Sequence, residues 1–218
     1  MIGNNDESKY YKLLSNLKHI DKDSLVIDIG ANIGDVTNFL YNNFEPSIHS
    51  YEPNISCYKY MIKRFKKFSK IKLFNLAVSN FNGKSNLYFH INAKSMNDPQ
   101  YIQGATLRPE KDDIDLNKKI EIECVDIKKI LDGFDKIDLI KIDIEGSEYS
   151  IMPEIIKNRD KIKMVICEIH GNPFGKKILN SNRTKMIMKN EAFREEYYKL
   201  IKKLKKMNLY GNWFHEWY

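Results

Sequence analysis

The sequence contains few cysteines and no long apolar run, and both shortages restrict what the protein can be. Three of the 218 residues are cysteines, and Cys57, Cys124 and Cys167 are far apart with no CxxC pair. This spacing argues against a disulfide framework or a zinc site and fits a reducing compartment. No apolar run reaches membrane-spanning length, and the beginning MIGNNDESKYYK is too polar for a signal peptide. We therefore expect a cytoplasmic protein without membrane insertion.

The sequence also lacks internal repeats, low-complexity linkers and any shift in composition that would mark a domain boundary. Hydrophobic residues make up 42% of the chain and charged residues 30%, which fits a globular domain with a full core. We therefore predict a single domain over residues 1–218.

An excess of basic residues gives the chain a formal net charge of +7, which raises the question of a nucleic-acid or anionic membrane partner. The lysines are concentrated at 63–72 and 199–207, where apolar residues recur at helical spacing. This pattern is typical of a packed helix with a solvated lysine face. The charge is therefore weak evidence for such a partner, and we expect no nucleic acid.

Strand and helix patterns alternate along the chain. The predicted strands are 24–29, 47–52, 71–77, 84–91, 119–125, 137–142 and 162–169, with a turn at Asn82-Gly83. The predicted helices are 10–17, 35–43, 55–68, 126–132, 147–158 and 187–207. A polar stretch without clear periodicity, 92–118, interrupts the alternation, and an aromatic tail ends the chain. The alternation predicts an α/β fold with a mostly parallel sheet and helices on both faces.

The segment VIDIGANIGDVT, residues 26–37, predicts a strand that leads through glycines into a helix. Glycines at such a turn indicate that some group approaches the backbone closely. A dinucleotide-binding turn has the pattern G-x-G-x-x-G, but Asn32 and Asp35 replace two of its glycines. Asp35 also puts a carboxylate where a phosphate needs the positive end of the helix dipole. The turn therefore favours a ligand without a phosphate, such as S-adenosylmethionine, over NAD or FAD.

Two acidic residues suit the polar groups of S-adenosylmethionine. Asp28 can attract its cationic side, while the backbone of 30–34 receives its carboxylate. Glu52 follows the strand SIHSY, and a carboxylate there can accept two hydrogen bonds from the ribose diol.

Five motifs occur in a fixed order along the chain. They are VIDIGANIGDVT, YEPN at 51–54, LAVSN at 76–80, LIKIDIEGSEYSIM at 139–152 and VICEIH at 165–170. Together they resemble the FkbM-type family of S-adenosylmethionine-dependent methyltransferases over about residues 24–170, which would form the cofactor-binding core. The C-terminal helix and aromatic tail, 187–218, lie beyond the resemblance. It implies the Rossmann-like class I methyltransferase fold, with a seven-stranded sheet whose last strand is antiparallel.

The resemblance also implies which residues bind the cofactor. Asp28, Gly30, Asn32 and Gly34 would line its methionine end, Glu52 its ribose, Ala77 and Val78 its adenine, and Asp143 would lie next to the methyl group. Where family members often carry a Thr-Leu-Asp-like triplet, this chain has Cys124-Val125-Asp126, which keeps the aspartate but lacks the threonine hydroxyl.

Methyl transfer to a hydroxyl group requires a base or a metal that takes or acidifies the hydroxyl proton. The candidates lie at the carboxyl ends of the predicted strands 137–142 and 162–169. They are Asp143, Glu145, Glu168 and His170. We predict Asp143 and His170 as the catalytic pair, with Glu145 as a further candidate that could instead stabilise a helix N-terminus. Asp143 and Glu168 could alternatively bind a magnesium ion, and the sequence leaves this divalent metal open.

The functional hypotheses differ mainly in the molecule that accepts the methyl group. The resemblance implies methyl transfer to a hydroxyl of a sugar or a polyketide-type small molecule, and a glycan is favoured because 92–118 has few large apolar residues. A nucleic-acid methyltransferase is disfavoured because the aromatic residues fall on apolar helix stripes and DIEGSE replaces the Pro-Pro-aromatic box of base-modifying enzymes. A non-catalytic binding protein is disfavoured because the cofactor motifs are intact. The aromatic tail leaves a homo-oligomer open.

Overall fold

A computed structural model describes residues 14–15, 17–99, 102, 104–170 and 191–217 of the chain. The strands are β1 (Leu25–Ile29), β2 (Ser47–Tyr51), β3 (Ile71–Phe74), β4 (Ala77–Ser79), β5 (Gly83–His90), β6 (Ile114–Asp126), β7 (Leu139–Ile142), β8 (Val165–Glu168) and β9 (Phe214–Trp217). The helices are α1 (Asp35–Phe44), α2 (Ile55–Phe65), α3 (Ile127–Asp132), α4 (Glu148–Lys157) and α5 (Glu191–Lys206). No helix in this part of the chain combines the length and apolarity needed to cross a membrane.

The central sheet has the strand order β3-β2-β1-β7-β8-β9, and each neighbouring pair is parallel. Alternate side chains of β1 serve opposite layers, because successive residues of a strand point to opposite faces. Val26 packs with residues of α1 and α2, whereas Ile27 and Ile29 pack with residues of α3, α4 and α5. These packing layers confirm the predicted α/β class, with a mostly parallel sheet and helices on both faces.

The details of the sheet differ from the expectation of seven strands with an antiparallel last strand. Among the described residues the central sheet has six strands, and β9 runs parallel to β8. The predicted strands 84–91 and 119–125 correspond to β5 and β6, which pair antiparallel in a separate sheet of order β4-β6-β5. The Asn82-Gly83 turn therefore does not close a hairpin, since the strands on either side of it both pair with β6.

The predicted strand 71–77 is wrong as a single strand, because the chain changes sheets within it. The Asn75 side-chain amide donates hydrogen bonds to the backbone oxygens of Glu52 and Pro53, both at 2.8 Å. These bonds occupy the backbone beyond β2, so β3 ends at Phe74. The chain then pairs with β6 from Ala77 onward.

Two further features were not predicted. β6 begins at Ile114, earlier than the predicted 119 and inside the stretch interpreted as aperiodic, and the aromatic tail contains a strand, β9. Phe214 is fully buried, and the Trp213 indole N–H donates to the Ile162 oxygen at 2.6 Å. These two aromatic residues therefore belong to the core. The predicted helical residues 10–13, 16 and 187–190 lie outside the described part of the chain.

An asparagine and an aspartate side chain cap the N-termini of two helices. Asn54 Oδ1 accepts from the Ser56 N–H at 2.8 Å at the start of α2, and Asp126 Oδ1 accepts from the Lys128 N–H at 2.8 Å at the start of α3. Such N-caps satisfy backbone donors that a helix cannot pair internally. The aspartate of the Cys124-Val125-Asp126 triplet is therefore a helix cap.

Candidate active site

A cavity opens beside the carboxyl ends of β1, β2 and β7, the position where open α/β sheets bind ligands. Seven of the residues predicted for the site line it: Gly30, Asn32, Glu52, Ala77, Val78, Asp143 and Glu145. Asp28, Gly34, Glu168 and His170 lie outside its wall. The polar stretch contributes residues that the sequence analysis did not assign, namely Ile102, Gly104, Ala105, Thr106 and Leu107.

The glycines of the β1–α1 turn are required by the protein's own packing. Gly30 has a φ of +79°, and a Cβ there would lie 1.8 Å from the carbonyl oxygen of Asp143. Gly34 has a φ of +80°, and its Cβ would lie 2.4 Å from the Phe65 ring. Gly30 thus brings the ends of β1 and β7 together, and Gly34 packs α1 against α2. Internal packing is therefore sufficient to require both glycines, and the close approach of a ligand to this turn stays a prediction.

The carboxylate of Glu52, the residue after β2, stabilises the β1–α1 turn by hydrogen bonding. Its Oε2 accepts from the Asn32 N–H at 2.8 Å, and its Oε1 accepts from the Asn54 N–H at 2.7 Å. Burial raises the pKa of Glu52 to about 7, although both backbone donors oppose this shift. A carboxylate oxygen has two lone pairs, so each oxygen keeps the capacity to accept one more hydrogen bond from a ligand.

Asp28 is placed behind the turn. Its carboxylate is fully buried, lies 3.2 Å from the Lys141 ammonium and accepts from the Thr37 hydroxyl at 2.7 Å. The Lys141 ammonium also donates to the Gly30 oxygen at 2.7 Å. Asp28 therefore does not line the cavity and is linked to the turn through Lys141.

Lys141 was not identified from the sequence, although a signal was present. A lysine stands inside the buried strand LIKI, and lysine is almost never fully buried unless it is paired. Burial alone would lower the pKa of Lys141, but the charges of Asp28 and Asp143 outweigh it and raise that pKa. The ammonium therefore remains charged and links the turn to Asp143, whose Oδ2 lies at 3.9 Å.

Asp143 is the carboxyl group at the end of β7 that faces the cavity. Its side chain is 31% exposed, and its backbone N–H donates to the Ile29 oxygen at 3.0 Å. Burial and then the negative charge of Glu168 raise the pKa of Asp143 to about 8, against the opposing effect of Lys141. A carboxyl group that titrates near neutral pH is typical of a functional site and suits a general base.

His170 lies between two carboxylates. Its Nε2 is 2.9 Å from Glu145 Oε2, and its Nδ1 is 2.8 Å from Glu148 Oε1. Burial would lower the pKa of His170, but these two carboxylates outweigh it and raise that pKa well above its ordinary value. An imidazolium with both nitrogens engaged cannot accept a proton. The predicted role of His170 as a base is therefore replaced by a role in orienting Glu145, the member of the group that lines the cavity.

Residues of the polar stretch 92–118 form hydrogen bonds with the turn that contains Glu145. Lys111, only 6% exposed, donates to Glu145 Oε2 at 2.7 Å, and the Thr106 hydroxyl donates to the Glu145 backbone oxygen at 2.7 Å. Arg108 donates to the Gly146 oxygen at 3.3 Å. These contacts stabilise a strained turn, since Glu145 has a φ of +55°. Burial would raise the pKa of Glu145, yet His170 and Lys111 lower it below its ordinary range.

Asp143, Glu145 and His170 have potential metal-ligand atoms within 4.8 Å of one another. Glu145 Oε2 is nevertheless shared by the Lys111 ammonium and the His170 ring, and a divalent ion would have to displace both cations. This donor set does not suit a divalent ion. The alternative of a magnesium ion on Asp143 and Glu168 remains a prediction of the sequence only.

We accordingly expect chelation by EDTA to leave methyl transfer unchanged, because Lys111 and His170 already engage the Glu145 oxygen that a divalent ion would need. The measurement is the initial rate after dialysis against EDTA, with and without added Mg²⁺ or Mn²⁺. Loss of activity that is restored by a divalent ion would contradict this expectation.

Comparison with known proteins gives a family match. The sequence profile of the methyltransferase FkbM domain matches residues 28–207. No curated protein sequence matches the chain.

Solved structures with similarity to the chain include an rRNA methylase from Streptococcus thermophilus, at 12% identity over 79% of this chain and 75% of that one, with a TM-score of 0.41. A precorrin-6y C5,15-methyltransferase from Geobacter metallireducens has 11% identity over 84% of this chain and 70% of that one, with a TM-score of 0.42. A human methyltransferase 10 domain containing protein has 10% identity over 96% of this chain and 74% of that one, with a TM-score of 0.45. Similarity at this level says nothing about the acceptor.

Proposed function

The chain belongs to the FkbM methyltransferase family, and on that premise we propose that it is an S-adenosylmethionine-dependent O-methyltransferase acting on a hydroxyl group of a sugar or glycan. The observation that carries the proposal is the position of Asp143. Its carboxyl group faces the cavity directly beside the β1–α1 turn, so a base and the cofactor-binding turn share one wall.

The residues of the cavity fit the cofactor. Its wall combines three acidic side chains, Glu52, Asp143 and Glu145, with apolar surface from Ala77 and Val78. S-adenosylmethionine is cationic at sulfur and nitrogen, and it also carries a carboxylate, a ribose diol and a flat adenine. The acidic side chains suit its cationic groups and its diol, the apolar residues suit the adenine, and the backbone of the β1–α1 turn would receive the carboxylate. Glu52 would hold the ribose, and Ala77 and Val78 would border the adenine. When bound, the cofactor supplies a methyl group on a positively charged sulfur.

The chain contributes the base and its alignment. Asp143 takes the proton from the acceptor hydroxyl as the oxygen becomes nucleophilic. Lys141 opposes the effects of burial and Glu168 on the pKa of Asp143, and it thereby keeps a fraction of the Asp143 side chains ionised. Glu145 is held by Lys111 and His170, and it accepts a hydrogen bond from a neighbouring acceptor hydroxyl. Fixing the acceptor in this way supplies much of the acceleration of a displacement reaction.

The choice of a sugar needs a different argument from the one the sequence suggested. The polar stretch does contribute apolar residues to the wall, among them Ile102 and Leu107. Support comes instead from the combination of an apolar wall with two carboxyl groups, Asp143 and Glu145. Sugar rings have an apolar face and several hydroxyl donors, which match both surfaces. Cytoplasmic location and the absence of a nucleic-acid partner remain part of this proposal.

Methyl transfer from labelled S-adenosylmethionine to a panel of nucleotide sugars, glycosides and oligosaccharides tests the proposal. Thermal-shift titration with S-adenosylmethionine and S-adenosylhomocysteine is the preceding step, and we expect both to raise the melting temperature. A protein that binds neither compound, or that methylates RNA but no sugar, would refute the proposal.

The Glu52→Ala variant should bind S-adenosylmethionine about 1.5–3 kcal/mol more weakly, the scale for a lost hydrogen bond to a charged group. The carboxylate is expected to hold the ribose and also holds the backbone of Asn32 and Asn54. Calorimetry measures the affinity, and Glu121→Ala, at an exposed ion pair on β6, is the control expected to bind normally. Unchanged affinity in Glu52→Ala would exclude the ribose role.

A further inference from the structure

A network of ion pairs beside the cavity contains more acidic than basic groups. Six carboxyl groups contact three cationic groups: Asp28, Asp113, Asp143, Glu145, Glu148 and Glu168 surround Lys111, Lys141 and His170. The acidic groups still outnumber the basic ones, by five to three, when Asp143 is protonated. Glu52 adds a further carboxyl group to the wall. The network therefore leaves the site with excess negative charge.

The acidic and basic members of the network are not equally accessible from the cavity. The Asp143 and Glu145 side chains are 31% and 25% exposed, whereas those of Lys111 and Lys141 are 4% and 2% exposed. The two ammonium groups are thus covered by their own partners, whereas the carboxyl groups of Asp143 and Glu145 face the open volume. A ligand in the cavity meets the negative side of the network.

Within the part of the chain that the structure describes, the rest of the wall offers no compensating cation. Among the described residues that line the cavity, none has a basic side chain, and the polar stretch presents Ile102, Ala105, Thr106 and Leu107. An anionic group placed there would lose its hydration without gaining an ionic partner, which is unfavourable. Neutral hydroxyl groups, by contrast, can donate to Asp143 and Glu145.

Ser147 adds an unpaired hydroxyl group to the wall. It lines the cavity and is 3% exposed, and its Oγ has no hydrogen-bond partner in the described part of the chain. Buried hydroxyl groups are normally paired, so a ligand hydroxyl is a suitable partner for this one.

We propose that the acceptor subsite, formed by residues 104–107 and 143–147, selects an uncharged, hydroxyl-bearing acceptor and rejects phosphorylated ones. The inference rests on the proposed function and specifies its substrate class. Free glycosides and neutral oligosaccharides are then acceptors, whereas sugar phosphates, nucleotide sugars and RNA are excluded by their charge.

The test compares methyl glycosides with their phosphate monoesters, using wild-type protein and saturating S-adenosylmethionine. We expect kcat/KM for the neutral member of each pair to be higher by at least about tenfold, because like charges at a binding surface are strongly unfavourable. We expect the ratio to shrink between low and high salt, since salt screens this repulsion. If the phosphorylated acceptors were excluded by their size, the ratio of the two kcat/KM values would not change with the salt concentration.

Two substitutions of Leu107, one that adds a positive charge to the cavity wall and one that does not, form a matched pair of variants. Leu107→Lys should narrow the ratio by bringing a cation to residues 104–107, whereas Leu107→Gln, of similar size and without charge, should leave it as in wild type. Melting temperatures verify that both variants are folded. Equal or better use of the phosphorylated acceptors by wild type, or methylation of RNA, would overturn the inference.

A failure of the sugar proposal remains distinguishable from a failure of this inference. If no sugar of either charge is methylated but a phenol is, the sugar proposal is wrong. The ratio between that phenol and its carboxylated derivative then decides the charge selectivity in the same way.

Discussion

The Asp143→Asn variant should lose at least about a hundredfold in turnover, the low end for removal of a general base. Asparagine has nearly the same shape as aspartate but cannot take a proton from the acceptor hydroxyl. The backbone of residue 143, which donates to the Ile29 oxygen and packs against Gly30, is unaffected by the change. Affinity for S-adenosylmethionine should therefore stay close to that of wild type.

The pH dependence follows from the direction of the Asp143 pKa shift. Burial and Glu168 raise its pKa to about 8, so at neutral pH the ionised, active form is the minority. Turnover by wild type should therefore increase as the pH rises through about 8 and then level off, and it should not show this rise in Asp143→Asn. Single-turnover rates across this pH range measure the effect directly.

Asp138→Asn is the matched control for this variant. Asp138 is buried at the start of β7, at the opposite end from Asp143, and accepts a hydrogen bond from the Leu25 N–H at 3.1 Å. Its substitution should cost stability without changing the pH profile of turnover. Nearly normal turnover in Asp143→Asn, or the same pH profile as wild type, would show that another group is the base.

The Gly30→Ala variant should be destabilised by at least about 3 kcal/mol and should lose activity as well. An alanine at a φ of +79° costs about 1–2 kcal/mol in backbone strain. Its Cβ would in addition lie 1.8 Å from the Asp143 carbonyl oxygen, a backbone atom that cannot rotate away. The ends of β1 and β7 must separate to admit the methyl group, which displaces Asp143 and the turn together.

Gly211→Ala separates the two contributions. Gly211 has a φ of +81°, nearly that of Gly30, but a Cβ there would have no neighbour within 4 Å. Urea denaturation of the two variants should therefore give a loss of about 1–2 kcal/mol for Gly211→Ala and a larger one for Gly30→Ala. Equal losses would show that the contact between β1 and β7 adjusts without cost.

The sequence by itself determined four strands of the central sheet, β1, β2, β7 and β8, and the residues at their carboxyl ends. Continuous apolar runs such as LVIDI and LIKI are fixed by burial on both faces, so they are readable from local pattern. In a parallel sheet the residues that follow such strands meet at one edge. Glu52 and Asp143 could therefore be placed beside the same cavity from the sequence alone.

The tertiary structure alone decided how these residues are held and charged. Glu145 meets Lys111 across 34 residues and His170 across 25, and Gly30 meets Asp143 across 113. Contacts of this kind depend on which segments are neighbours in space, and they leave no periodic signal along the chain. For the same reason the sequence pattern could not show that β4 leaves the central sheet, that the glycines serve internal packing, or that both nitrogens of His170 are occupied.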